Sequence, residues 1–251
     1  TITFFDTPFS GGCVQPIGIF MRTYTFEDDC GNANMFEQFI ELYDDTPPTA
    51  TITCPADTVL AADADCSADL SVDALGQAEV IATDNCGGAA PDVEMSWTDH
   101  DTTITCAGSL SFTRTFTATA TDHCGNEDSI SCDQLITVSD ETAPDAPVIA
   151  GPADAEVLLD ADCATDASPA VTGEATATAA DNCDADPSIA ISYEDSAPTY
   201  TCAGDDTAEG SYTFIRTWTA TATDDCGNEG ASSTYDQTIT VSDEMAPDFD
   251  G

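Results

Sequence analysis

Between Phe112 and Thr121 every second residue is threonine, and the positions between them read Phe, Arg, Phe, Ala, Ala. A period of two is that of a strand with one face on a core and the other in water. The pattern predicts that the aromatic and alanine face points inward and the threonine face outward. The same run returns as "FIRTWTATAT" at Phe214 to Thr223 and, more loosely, as "FMRTYTFE" at Phe20 to Glu27. Shorter strand-like runs, "AEVIAT" (Ala78 to Thr83), "VEMSW" (Val93 to Trp97) and "QLITV" (Gln134 to Val138), are separated by Gly, Pro, Asp and Asn turns. The chain reads as strand and turn rather than helix. Several short strands within about 95 residues predict an all-β fold of immunoglobulin-like sandwiches. A closed barrel fits less well with head-to-tail repetition.

The repetition extends beyond one strand. Each run ends in Asp-x-Cys-Gly-Asn, and the cysteines of these copies, Cys30, Cys124 and Cys226, are spaced 94 and 102 residues apart. A step that long is a repeated domain rather than a solenoid turn. The copies close alike, in "EQFIELYDDTPPT", "DQLITVSDETAPD" and "DQTITVSDEMAPD", a strand running into an acidic, proline-bearing linker. The expected organisation is therefore the C-terminal half of an Ig-like domain in residues 1–45, full domains in 46–140 and 141–243, and the start of a further domain or linker in 244–251. "TITFFDT" at Thr1 to Thr7 aligns with "VEMSWTD" at Val93 to Asp99 and "IAISYED" at Ile189 to Asp195. The strands missing from 1–45, equivalent to 51–92, are expected from a longer polypeptide, the favoured source, or from a neighbouring molecule. The core beside Phe20, Tyr24 and Ile40 should then be unfilled within this segment.

Twelve cysteines without tight CxxC pairs indicate disulfides and an oxidising, extracellular setting. Cys66, Cys86, Cys106 and Cys124 have counterparts in Cys163, Cys183, Cys202 and Cys226, whereas Gly151 and Tyr235 replace Cys54 and Cys132. Two cysteines lost together are most simply partners, so Cys54 is expected to bond Cys132. If strands alternate direction, Cys86 and Cys124 share one end of the sandwich, and Cys66 and Cys106 the other. The expected bonds are thus Cys86–Cys124 and Cys66–Cys106, and by analogy Cys183–Cys226 and Cys163–Cys202. Cys13 aligns with Cys106 and should lie a strand's length from Cys30, too far for the two to bond each other.

Charge narrows the function classes. Among 251 residues there are 48 acids and 3 basic residues, all arginine, for a formal net charge of -45. Such a field repels nucleic acid and anionic lipid, and no apolar run is long enough to span a membrane. The arginines, Arg22, Arg114 and Arg216, share one position on the aromatic face. A structural role is expected, the guanidinium snorkelling over Phe116 or Trp218 and pairing with a carboxylate; ligand binding is the lesser alternative. The acids recur at fixed sites: Asp63 and Asp65 beside Cys66, Asp84 and Asn85 with Asp122 and Asn126, Asp181 and Asn182 with Asp224 and Asn228, and the linker pairs Asp44 with Asp45 and Asp140 with Glu141. They either cap turns or supply oxygens to structural Ca2+, expected where domains meet. No hydrolase or zinc motif is present, and neither His100 nor His123 has a counterpart in the other full copy. An enzyme is not expected.

The stretches "TCPADTVLAADADCSA", "VIATDNCGG" and "FTATATDHCGNEDSISCDQLITVSDETAP" resemble the HYR-like repeats of large Bacteroidota cell-surface proteins, adhesins and gliding-associated proteins among them. Cys106 and Cys202, both in "TCAG", are additions to the pattern of those repeats. The resemblance implies a noncatalytic module of an extracellular stalk or fibre whose partners are neighbouring repeats or copies of itself. The alternative is a calcium-dependent module binding glycans or a surface.

Overall fold

The computed structural model describes residues 1–8, 18–86, 90–201 and 210–245. They form two compact units, one of Thr1–Val59, Asp69–Thr103 and Ser111–Thr137, the other of Leu60–Ala68, Ile104–Leu110 and Val138–Gly251. Residues 60–68 and 104–110, which the sequence repeat groups with 46–140, thus pack with the second unit.

The first unit opens with an antiparallel sheet of β1 (Ile2–Asp6), β2 (Gly18–Glu27) and β3 (Ala33–Leu42) in the order β1-β2-β3. The chain continues through β4 (Thr49–Thr53), β5 (Thr58–Ala61), the helical turn α1 (Val72–Leu75), β6 (Glu79–Thr83), β7 (Asp92–Cys106), β8 (Ser109–Thr121) and β9 (Glu127–Ser139). Strands β4 and β6 pair, and the other four form a sheet in the order β5-β9-β8-β7. The core lies between these layers: Phe112, Phe116, Ala118 and Ala120 of β8 are buried with Ile136 and Val138 of β9, while the threonines of β8 are half-exposed.

The second unit repeats this plan. It holds β10 (Val148–Ala150), β11 (Ala155–Leu158), the turn α2 (Pro169–Thr172), β12 (Thr176–Thr178), β13 (Ser188–Asp195), β14 (Thr199–Tyr200), β15 (Tyr212–Thr223) and β16 (Ser233–Ser242). The larger sheet runs β11-β16-β15-β13, with β14 on β15, and β10 pairs with β12. Strand β11 pairs parallel to β16, Ala155 opposite Ile239 and Leu158 opposite Ser242, so the first part of the domain is divided between the two sheets. This is an immunoglobulin-like β-sandwich.

Cys54 bonds Cys132, with their Cα atoms 5.9 Å apart. In the second unit the ring of Tyr235 fills the corresponding space against Gly151, and its hydroxyl donates to the Pro152 carbonyl at 3.1 Å. The expected Cys66–Cys106 and Cys183–Cys226 bonds are replaced by Cys66–Cys183 and Cys106–Cys226. The reason is that the loops carrying Cys66 and Cys106, within residues 60–68 and 104–110, pack in the second unit, so their cysteines meet Cys183 and Cys226 there, at Cα separations of 5.0 and 5.3 Å, rather than each other. Cys163 is exposed and free, whereas Cys202, with Cys13, lies outside the described residues. Cys86 and Cys124 are half-buried.

The arginines also differ from expectation. Arg114 and Arg216 do not snorkel: they are 1% and 3% exposed. Arg114 lies 4.3 Å over Trp97 rather than Phe116, and Arg216 lies 4.5 Å over Tyr193 rather than Trp218. Each makes a two-pronged bond to an aspartate two residues beyond that ring, Asp99 at 2.7 and 2.9 Å and Asp195 at 2.7 and 2.8 Å. A residue directly opposite on the adjacent strand is closer than a same-face neighbour on the same strand, and Asp195 is the register partner of Arg216. Arg22 repeats the arrangement with Asp6, its register partner, and Phe4.

Candidate metal centres and the repeat junction

The Asp-x-Cys-Gly-Asn loop is a closed hydrogen-bonded unit. In the second full repeat Oδ1 of Asp224 accepts from the Asn228 amide at 2.8 Å, and Oδ2 accepts from the Asn228 side chain at 2.8 Å. Asp122 does the same for Asn126 and accepts from the Cys124 amide as well, and Asp28 matches it with Asn32 and Cys30. The glycines of these loops, Gly31, Gly125 and Gly227, have φ of +85°, +88° and +91°, a region that L side chains rarely adopt. The motif therefore specifies one loop made three times. Burial pushes the Asp122 carboxyl upward, but the hydrogen bonds from Asn126, Cys124 and Gly125 outweigh it and hold the group below the usual carboxylate range.

The same asparagines reach the linkers. Asn126 Nδ2 donates to the Asp44 carbonyl and Asn228 Nδ2 to the Asp140 carbonyl, each at 3.1 Å. Linker and loop are thereby fixed together, and a third acid comes from the Asp-Asn-Cys turn. Carboxylate oxygens of Asp44, Asp84 and Asp122 lie within 4.8 Å of one another in the first unit, and those of Asp140, Asp181 and Asp224 do so in the second. Each linker acid caps an amide, Asp44 that of Thr46 and Asp140 that of Thr142. Asp84 and Asp181 use Oδ2 to cap Cys86 and Cys183. The remaining oxygens Asp84 Oδ1, Asp140 Oδ2 and Asp181 Oδ1 are buried without a hydrogen-bond partner, as is Asn182 Oδ1.

Asp140 and Asp224 are 5% and 6% exposed, with Asp44 and Asp122 at 5% and 8%. The chain has no lysine, and its three arginines are committed to Asp6, Asp99 and Asp195. Three clustered carboxylates with orphaned buried oxygens and no cationic side chain are hard, anionic donors of the kind that suit calcium. The residues therefore fit the ion.

The other expected ligands stand apart from these triads. Asp63 is exposed; its carboxylate accepts from the Ser67 amide and hydroxyl and from the Asp65 amide, and these bonds hold it below the usual range. Only its carbonyl reaches the junction, accepting from Asn182 Nδ2 at 3.1 Å. Asp45, Asp65, Asn85 and Glu141 are exposed, and Glu141 accepts from Ser139 Oγ.

Within the second unit the junction is held by more than its two disulfides. The Ala107 amide donates to the Asp225 carboxylate at 3.0 and 3.2 Å, the Asp225 amide to Asp184 at 3.0 Å, and the Asp140 amide to Ser109 Oγ at 2.7 Å. Gly108, at φ +74°, lies against Cys183, where a Cβ would collide with the sulfur.

Sequence reasoning missed two buried glutamines. Gln134 Nε2 donates to the Ala56 and Leu75 carbonyls, and Gln237 Nε2 to those of Ala153 and Thr172. Each ties the segment before the edge strand, β5 or β11, to the helical turn. Their signal was a Gln at one place in both "DQLITV" and "DQTITV".

No family model and no curated protein matches this chain. Among solved structures it is similar to mouse Cadherin-23 EC22-24, with 14% identity, coverage of 96% of this chain and 86% of that one, and a TM-score of 0.36. The protocadherin gammaB7 EC3-6 cis-dimer structure has 14% identity, coverage of 97% and 66%, and a TM-score of 0.33. Mouse protocadherin-24 EC1-3 has 15% identity, coverage of 96% and 90%, and a TM-score of 0.30. The chain spans 66% of the protocadherin gammaB7 structure and 43% of the protocadherin gammaB4 extracellular domain.

Proposed function

We propose that this chain is a noncatalytic structural segment of an extracellular stalk or fibre, a run of HYR-like, immunoglobulin-type repeats in a large surface adhesin. The observation that carries the reading is the junction, where two disulfides, Cys66–Cys183 and Cys106–Cys226, join the trailing loops of one repeat to the leading loops of the next. Stapling of this kind suits a stalk, which must hold its repeats in line. The disulfides also favour an oxidising compartment. Among the described residues no helix is long and apolar enough to cross a membrane. Calcium held by Asp44, Asp84 and Asp122, and by Asp140, Asp181 and Asp224, would neutralise the carboxylates that fix each linker.

A second reading, glycan or surface binding, is favoured by an open cleft lined by Asp195, Ser196, Pro198, Tyr200, Tyr212 and Phe214. The rings of Tyr200 and Tyr212 are 5.6 Å apart. Electron microscopy of the native material, with antibody to this segment, separates the two readings. Label spaced regularly along filaments or stalks is expected; label confined to a tip or to unassembled particles would refute the stalk.

A further inference from the structure

Cys66 and Cys163 stand at the same turn of successive repeats. In each, the cysteine amide donates to the carbonyl of the Asp three residues before it, Asp63 or Asp160, at 3.0 Å. The carboxylate of that Asp accepts from the amide of the residue before the cysteine, and the cysteine has a left-handed φ of 58° or 55°. Cys66 bonds a cysteine of the following repeat, Cys183, whereas Cys163 is exposed with a free thiol. The loops of Cys226 and Cys30 make a second such comparison. Asp28 bonds the amide and side chain of Asn32 as Asp224 does those of Asn228. Cys226 bonds a cysteine of the preceding repeat, Cys106, whereas Cys30 is exposed with a free thiol.

We propose that Cys30 and Cys163 are the open halves of two further junctions of this kind, and that the partner at each is another repeat of the same type. The offset fixes the chemistry of each partner. Cys163 stands where Cys66 does and takes a cysteine that follows an Asp-Asn pair, as Cys183 does. Cys30 stands where Cys226 does and takes a cysteine set in Thr-Cys-Ala-Gly, as Cys106 is. The internal junction shows both bonds made between turns of these conformations, at Cα separations of 5.0 and 5.3 Å. The inference rests on the repeat geometry and stands whether the assembly is a stalk or a compact oligomer.

Each bond forms by exchange with the disulfide of an oxidoreductase. One thiolate attacks that disulfide, giving a mixed disulfide, and the partner thiolate displaces the enzyme sulfur. The two thiols lose two protons and two electrons, and the oxidoreductase is reduced to its dithiol.

The test is a disulfide map of native material, alkylated before any reduction, cleaved at acidic residues and read by mass spectrometry. The expected result is Cys30 linked to a Thr-Cys-Ala-Gly peptide and Cys163 linked to an Asp-Asn-Cys peptide. A mass that falls on reduction assigns the partners to separate polypeptides, and one that does not assigns them to the same polypeptide; both agree with the proposal. Recovery of either thiol alkylated, capped by a small thiol, or bonded to the other overturns it. A Cys163→Ser variant should lose its own cross-link and keep Cys66–Cys183; persistence of the cross-link would also overturn it.

Discussion

The arginine of each full repeat is a buried charge made tolerable by one matched carboxylate. Arg216 is bonded by Asp195 on two prongs and by Thr172 Oγ1 at 3.0 Å, and the carboxylate holds the guanidinium above its ordinary pKa. Lysine at this site keeps the charge but loses the planar fork and the stacking on Tyr193. Arg216→Lys should therefore lower unfolding stability by about 2 kcal/mol, because a buried charge is left with fewer partners. Arg22→Lys, at a site whose side chain is 30% exposed, should cost less, because solvent screens the pair. Urea denaturation of the two variants checks the ordering. The arginine position was legible as an odd residue on an aromatic face, but its partner was not: aligning "TITFFDT" with "VEMSWTD" and "IAISYED" sets Asp6 against Thr98 and Glu194, and the structure shifts the match by one residue, so that Asp6 takes the place of Asp99 and Asp195. What the sequence withheld was the strand register, which decides that the aspartate rather than an aromatic neighbour faces the guanidinium.

At the scale of the element, the two full repeats solve one packing problem in two ways. Cys54 and Cys132 tie first strand to last in one repeat, and the Tyr235 ring occupies that space against Gly151 in the other. A methyl group at position 151 would collide with the ring, so Gly151→Ala should destabilise the fold by about 1 to 3 kcal/mol. The pair Gly151→Cys with Tyr235→Cys should instead form a disulfide under oxidation and add about 4 kcal/mol, as expected for a loop of this length. Thermal melts with and without reductant test this; a double variant that melts alike in both would show that the positions are not equivalent. The joint loss of two cysteines made the Cys54 bond readable from sequence. The pairing of Cys66 and Cys106 was not readable within one repeat, because their partners belong to the next and only the junction brings them together.

At the scale of the molecule, with a net charge of -45, the acid triads hold three carboxylates close together in buried and half-buried positions. Calcium at about 100 times its dissociation constant would add about 3 kcal/mol per site. The melting temperature should rise with calcium and fall with chelator, and Asp84→Asn or Asp181→Asn should each remove half of the bound ions in calorimetry. Asparagine still accepts the capping hydrogen bond, so these variants test the charge and not the turn. Equal melting in calcium and in chelator would sink the metal assignment. All three acids of each triad were visible as recurring positions, but sequence could not divide cappers from ligands. Asp63 and Asp122 look alike in the chain and both cap their own turns; one is exposed, and the other is buried beside two more acids.

The junction disulfides also determine how the chain responds to a pull on its ends. The 117 residues between Cys66 and Cys183 would measure about 400 Å if drawn straight, and the bond removes that length from the path along which tension travels. The Cys106–Cys226 bond closes an overlapping loop, its cysteines 120 residues apart, and guards the same stretch a second time rather than adding to the hidden length. Strands inside the closed loops, β6 to β8 among them, therefore yield no slack while the bonds hold, whereas β1 to β3 and β16 lie outside the loops. Under tension the molecule behaves as a short tether with a fixed stop, and a reductant, rather than force, releases its hidden length.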